Sequence, residues 1–295
     1  MKDKKIFGVT RPSLIGDIIA STIFPCFLDK IYPDYTKIAY IDRKCSAAMP
    51  FLINHDHIDK ILISEKSDEL SISELSLINK CEVSLNPFPN ITRPDYYNHH
   101  HITKELFLMN EICGDNNKID PKIWDKLNEE DKKIKLNQWF DVDRNKKSIA
   151  IWPFSGYGPT NSVSKNLRSP SSQWWNKLLD LLSDYKIYQF GHPLSEKIER
   201  GNVIDCRHLS LFESIKLSIG CDVSISTDSG PSWIIGGYGA PQIVLYTNYQ
   251  NNHFQNFDAM VPLNHKDNLI SIFGLNGIEN INQENVIEQI KKYDN

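Results

Sequence analysis

The 295 residues predict an α/β protein made of two doubly wound halves with a cleft between them, and three observations carry that prediction. Apolar runs of strand length alternate with longer helix-like stretches along the chain, as parallel sheets with crossover helices require. The alternation stops in a polar stretch rich in Lys, Asp and Asn, from Gly114 to about Lys147, and restarts at Ser148. The length suits two domains of ordinary size. The boundary is expected in the polar stretch, where few apolar residues could anchor a core, giving domains over 1–145 and 146–295.

In the first half, strands are expected at 6–9, 37–41, 60–63 and 82–85, and helices at 15–28, 46–53, 72–78 and 103–113. A short helix is expected around 129–139. The second half repeats the scheme with strands at 148–152, 186–190, 223–226 and 242–246. Its helices are expected at 174–182, 211–219 and 231–238, with a last one at 283–293.

Bulk composition narrows the function. A hydrophobic share of 40% with 24% charged residues is that of a soluble globular chain. The net charge of −4 gives no electrostatic case for nucleic acid or for strong attraction to an anionic membrane. No apolar run reaches the roughly 18 to 20 residues of a spanning helix. The charged start, Met1 to Lys5, leads into a strand too short for a signal peptide. Six scattered cysteines without a Cys-x-x-Cys pair read as free thiols in a reducing compartment, the cytosol, and not as a zinc site.

The most informative run is Cys221 to Pro231. A short apolar strand meets Thr227-Asp228-Ser229-Gly230, and a helix is expected to open at Pro231. Gly230 lets the backbone approach a bound group, and the helix N-terminus favours an anion such as phosphate. Asp228 would repel phosphate, so it is either a helix cap or an acceptor for sugar hydroxyls. An ordinary strand-to-helix turn would look similar. Near the N-terminus, the strand ending at Val9 is followed by Gly16-Asp17, an apolar helix, Pro25 and Tyr32-Pro33.

With Ile58-Asp59 before a strand, these segments resemble the opening of the bacterial lipopolysaccharide heptosyltransferases, glycosyltransferase family nine. The resemblance continues through Ser148 to Pro153, Ser169-Pro170 with Trp174-Trp175, and Tyr188 to Gly191 with Glu196. Leu209 to Glu213 and Asp228-Ser229-Gly230-Pro231 follow in family order, so that it spans roughly 6–246. It implies the GT-B fold, two Rossmann-like doubly wound domains facing a central cleft, with the last helix packing back on the N-terminal domain. It also implies an inverting, metal-independent glycosyltransferase. Such an enzyme moves a sugar from a nucleotide diphosphate donor, ADP-heptose or a relative, to a hydroxyl of a glycan or glycolipid. No cofactor is implied beyond the nucleotide sugar. The protein would be cytoplasmic, with the inner face of the membrane as an alternative place of work.

Transfer needs a base for the acceptor hydroxyl, positive groups for the departing diphosphate and a pocket for the nucleoside. The resemblance gives Asp17 the role of base, although an acidic residue in a first turn also simply complements the helix dipole. Arg168 is the nearest match to the family's cation, with Lys165 second; either would equally suit a solvated loop. Ser155 and Gly156 resemble a loop that presents donors to the phosphates, or form a structural turn. Glu196, or Ser195 beside it, is placed near the ribose. Ser229 and Gly230 are the best donors at the helix N-terminus, and His192 reads as an ordinary loop residue.

Two features depart from the pattern or distract from it. Trp233 stands where the family has a histidine beside the donor sugar, and an indole cannot reproduce imidazole's acceptor chemistry. The donor or acceptor is therefore open. His99-His100-His101 invites a metal, but adjacent residues rarely converge on one ion, and the triplet reads as a solvated or acceptor-side loop. Trp174 and Trp175 read as core. A nucleotide-sugar epimerase or hydrolase, or an inactive nucleotide-sugar-binding protein, are the alternatives that share two facing lobes.

Overall fold

The computed structural model describes residues 6–9, 15–20, 22, 33–34, 36–64, 81–85, 136–137, 142, 145–155, 169–247, 268–274 and 277–293. These divide into two compact units, one up to Asn137 and one from Val142 onward.

The first unit contains β1 (Ile6–Val9), helix α1 (Ile15–Ala20), β2 (Thr36–Asp42), β3 (Lys60–Ser64) and β4 (Cys81–Leu85). The strands form a parallel sheet in the order β3-β2-β1-β4. Ile18, Ile41, Cys45, Ala48 and Leu52 make its core. Asp59 closes the start of the β2–β3 pair, its carboxylate accepting from the Lys37 N–H at 2.7 Å and its own N–H donating to the Lys37 carbonyl at 3.0 Å. The helix expected at 46–53 is a 3-10 helix over Arg43–Phe51. Pro50 lies inside it, and a residue without an N–H cannot continue an α-helical ladder. The expected helix at 15–28 is described only over α1. Those at 72–78 and 103–113 lie outside the described residues, as does that at 129–139 apart from Leu136 and Asn137.

The second unit is built on a parallel six-stranded sheet in the order β10-β9-β8-β5-β6-β7. Its strands are β5 (Asn145–Trp152), β6 (Lys186–Gln189), β7 (Val203–Asp205), β8 (Cys221–Thr227), β9 (Gln242–Thr247) and β10 (Leu269–Gly274). Taken from β5, this is the doubly wound order of dinucleotide-binding domains, with its topological switch between β5 and β8. Helices α2 (Ser172–Asp180), α3 (Leu211–Gly220), α4 (Gly230–Gly237) and α5 (Gln283–Ile290) cover the sheet. One face, with Ile149, Ile151, Val223, Ile225, Ile243 and Leu245, packs on Trp174, Trp175, Leu178 and Leu179 of α2 and on Val286 and Ile290 of α5. Each such burial is worth about 1.5–3 kcal/mol. On the other face, α3 lies against β5 and β8, and α4 against β8 and β9.

Capping sets the helix starts. The Ser171 hydroxyl accepts from the Trp174 N–H at 3.1 Å, Ser210 and Glu213 form a reciprocal capping box, and Asn282 accepts from the Glu284 N–H at 3.0 Å. The indole of Trp174 donates to the Ile281 carbonyl at 2.8 Å and that of Trp175 to the Pro153 carbonyl at 3.2 Å, so both tryptophans are core residues with satisfied N–H groups.

One detail differs from expectation. The break between units comes after Asn137 and not at 145/146, which falls at the first residues of β5. Asn137 is tied to the first unit, its carboxamide donating to the carbonyls of Pro50 at 2.6 Å and Ile53 at 2.7 Å. The last helix places Val286 and Ile290 in the second unit's own core. No described helix is long and apolar enough to cross a membrane.

Candidate functional site

Ligands of open α/β sheets collect outside the carboxyl ends of strands at the topological switch. In the second unit that edge is defined by register: Trp152 of β5 pairs with Ser226 of β8, and Ile151 with Gln189 of β6. Three candidate segments leave from here, the loop after Trp152, the turn after Gln189 and the Thr227–Gly230 junction. Ser155, Glu196, Asp228, Ser229 and Gly230 therefore stand along one edge.

The first loop is tied down by the Trp175 indole on the Pro153 carbonyl. Ser155 donates its N–H to the Ser169 hydroxyl at 2.9 Å, and the two hydroxyl oxygens are 3.1 Å apart. The Ser155 N–H is thus already engaged, and its hydroxyl is paired with that of Ser169. Gly156, Lys165 and Arg168 lie outside the described residues, as do His99 to His101. Ser169, the neighbour of Arg168, is the residue that sequence reasoning missed here.

At the β8–α4 junction the Ser229 hydroxyl donates to the Thr227 carbonyl at 3.0 Å. The Ser229 N–H donates to the Ser232 hydroxyl at 3.2 Å, which itself donates to the Ser229 carbonyl at 2.7 Å. Pro231 has no N–H, and the Ser232 and Trp233 N–H groups both point at the Ser229 carbonyl. The Gly230 N–H is left without an acceptor among the described residues, making it the donor this helix end offers an anion. Asp228 is half-buried. Burial, with the Asp228 charge adding to it, pushes the Tyr246 phenol well above its ordinary value, so Tyr246 remains a neutral neighbour of this junction. Trp233 sits in the first turns of α4 with 5% of its surface exposed.

The turn after β6 is more fully built than its sequence suggests. Gly191 has φ +138, and a Cβ there would lie 3.2 Å from the Ser195 hydroxyl, which accounts for the glycine. The His192 carbonyl accepts from both the N–H (2.8 Å) and the hydroxyl (2.6 Å) of Ser195, and the His192 Nδ1 accepts from the Leu194 N–H at 3.1 Å. Ser195's hydroxyl is thereby spent inward, and Glu196 is the exposed polar side chain of the pair. The buried Gln189 amide brackets the exit, donating to the Glu196 carbonyl at 2.8 Å and accepting from the Ile198 N–H at 2.9 Å.

Arg207, after β7, completes this turn. Its Nε and Nη2 each reach one Asp205 carboxylate oxygen at 2.8 Å, and its Nη1 donates to the Ser195 carbonyl and lies 3.5 Å from that of Pro193. The guanidinium holds the Asp205 carboxyl down at about 2.

Asp17 lies in α1, between Gly16 and the buried Ile18, on the connection that follows β1. Among the described residues, no three His, Cys, Asp or Glu side chains are grouped to hold a metal ion.

No family model matches the chain, and no curated protein sequence matches it either. Solved structures do. The fold is that of the family-nine GT-B glycosyltransferases. A family-nine glycosyl transferase from Veillonella parvula superposes with a TM-score of 0.68 at 17% identity, over 99% of this chain and 97% of that one. The ADP-heptose lps heptosyltransferase II of E. coli gives 0.60 at 12% identity, over 98% of each chain. An iron-containing dodecameric glycosyltransferase, TibC of enterotoxigenic E. coli, gives 0.53 at 11% identity over 83% of this chain and 60% of that one.

Proposed function

We propose that the protein is an inverting glycosyltransferase that moves a sugar from a nucleotide diphosphate donor, ADP-heptose or a relative, to a hydroxyl of a glycan or glycolipid. The observation that carries this reading is the gathering of Ser155, Glu196 and the Asp228–Gly230 junction along the carboxyl edge that flanks the β5–β8 switch. The fold shared with an ADP-heptose-named enzyme supports the donor class.

The reaction is a single displacement. Asp17 takes the proton of the acceptor hydroxyl, whose oxygen attacks the anomeric carbon as the bond to the diphosphate breaks. The leaving diphosphate carries away the bonding pair and is met by Arg168, the Ser155 hydroxyl and the Gly230 N–H. Glu196, an acceptor-only group, suits the ribose hydroxyls. Asp228 supports the junction and faces sugar hydroxyls; Lys165 is the second cation. Trp233 replaces an imidazole with a buried indole, and so shifts preference among donor sugars. No metal takes part, and chelation by EDTA leaves turnover unchanged; loss of turnover restored by iron or magnesium would remove that part of the reading. The reaction takes place in the cytoplasm, and a lipid-linked acceptor would bring the enzyme to the inner face of the membrane.

A thermal-shift screen with ADP-, GDP-, UDP- and CMP-sugars tests the reading, since a ligand at a hundredfold excess over its Kd adds about 2.7 kcal/mol. The stabilising donor is then incubated with and without candidate acceptors. Acceptor-dependent product of inverted anomeric configuration is expected; sugar released as fast without acceptor would indicate a hydrolase.

A further inference from the structure

We propose that Arg207 is a positioning residue for the nucleoside end of the donor, a role that rests on the donor-site reading above. The 191–196 turn runs through a positive-φ glycine and a proline, and the carbonyls of His192, Ser195 and Glu196 accept hydrogen bonds. Those of His192 and Glu196 are held from within the turn and by Gln189. That of Ser195 is held by Arg207 alone among the described bonds, across a gap of 12 residues in sequence.

Arg207 is built for support. Its side chain is 12% exposed, and its charge is matched by the bidentate Asp205 carboxylate. A guanidinium so committed has little left for a ligand phosphate, and its Nη1 goes to the turn. What the turn leaves outside is Leu194, 75% exposed, and the exposed Glu196. An apolar side chain two residues from an acceptor-only carboxylate matches the two faces of a nucleoside, a flat base and a ribose that donates hydroxyl protons. Loss of the fork frees the Ser195 carbonyl and lets this pair drift, which weakens donor binding without touching the displacement step.

The test is titration calorimetry with ADP, GDP and UDP on wild type, Arg207→Gln, Arg207→Lys and Asp205→Asn, with kinetics on the matching sugar donor. Arg207→Gln should weaken the best nucleotide and raise donor KM about tenfold, from the loss of charge-assisted bonds, with kcat within about twofold. Arg207→Lys should not rescue it, because an ammonium cannot span Asp205 and the Ser195 carbonyl together. If Arg207→Gln does not fold, Asp205→Asn, which keeps the guanidinium but loosens its anchor, carries the same expectation. Variants that lose thermal stability yet keep wild-type Kd and KM would reduce Arg207 to a structural clamp and overturn the inference alone. A wild-type protein that binds none of the three nucleotides would take down the donor-site reading, and this inference with it.

Discussion

Two serines on the same side of the second unit's sheet should respond to the same substitution with opposite signs. Ser226 of β8 is fully buried and its hydroxyl has no partner among the described residues. Ser218 of α3 is 2% exposed, and its hydroxyl accepts from the Trp152 indole at 3.1 Å while donating to the Ser214 carbonyl at 2.7 Å. An unpaired buried hydroxyl costs roughly 1–3 kcal/mol, so Ser226→Ala should stabilise by about 1 kcal/mol. Ser218→Ala removes two bonds of about 1 kcal/mol each and strands a buried indole N–H, for a loss of about 2–3 kcal/mol. At about 2–4 °C per kcal/mol for a domain of this size, Tm should rise by a few degrees in the first variant and fall by roughly 4–12 °C in the second. Urea unfolding followed by tryptophan fluorescence, with m checked for constancy, reports both changes. A fall in stability for Ser226→Ala comparable to that of Ser218→Ala would refute the reasoning, and would mean the Ser226 hydroxyl binds a buried water.

Asp17→Asn should abolish transfer while leaving nucleotide affinity within about twofold, since it removes a proton acceptor and no donor contact; near-wild-type turnover would dismiss Asp17 as the base. Asp205 has a folded-state pKa of about 2 against 3.8 for the free group, so its contribution is complete above pH 3.8 and is lost as pH falls toward 2. Partial exposure limits that contribution to about 1 kcal/mol, and acid unfolding of Asp205→Asn should lack this part of the pH dependence. Trp175→Phe keeps an aromatic in the core but drops the bond to the Pro153 carbonyl. It should raise donor KM more than it lowers Tm, and unchanged kinetics would separate the 153–155 loop from the donor.

Much of the fold was legible because the central strands announce themselves. Ile149 and Ile151, or Val223 and Ile225, sit in short apolar runs that only a doubly covered parallel strand accounts for, and each proved fully buried. The two missed strands lie at the sheet edges. β7 has three residues with partial exposure, and β10 mixes buried and exposed positions, so neither carries a clear period. Pro50, visible in the sequence, argues against an α-helix at 46–53.

The site was less legible than the fold. Asp228 to Gly230 were singled out because a helix start follows an apolar run, and Glu196 through the family resemblance. Arg207 was not, because its partner on the turn is 12 residues away and no local pattern links them. The Asp205-x-Arg207 spacing was the available hint, and it is too common to stand alone. Ser169 belongs to the Ser169-Pro170 pair of the resemblance, and nothing in its local sequence tells of a bond to the Ser155 N–H.

The central claim is that the carboxyl edge of the second unit holds the nucleotide of an activated sugar. A crystal structure with the nucleoside diphosphate that most raises Tm tests it most directly. The account predicts the ribose hydroxyls on Glu196 and a diphosphate oxygen within hydrogen-bond distance of the Gly230 N–H. A nucleotide seated in the first unit, or away from both residues, would contradict it.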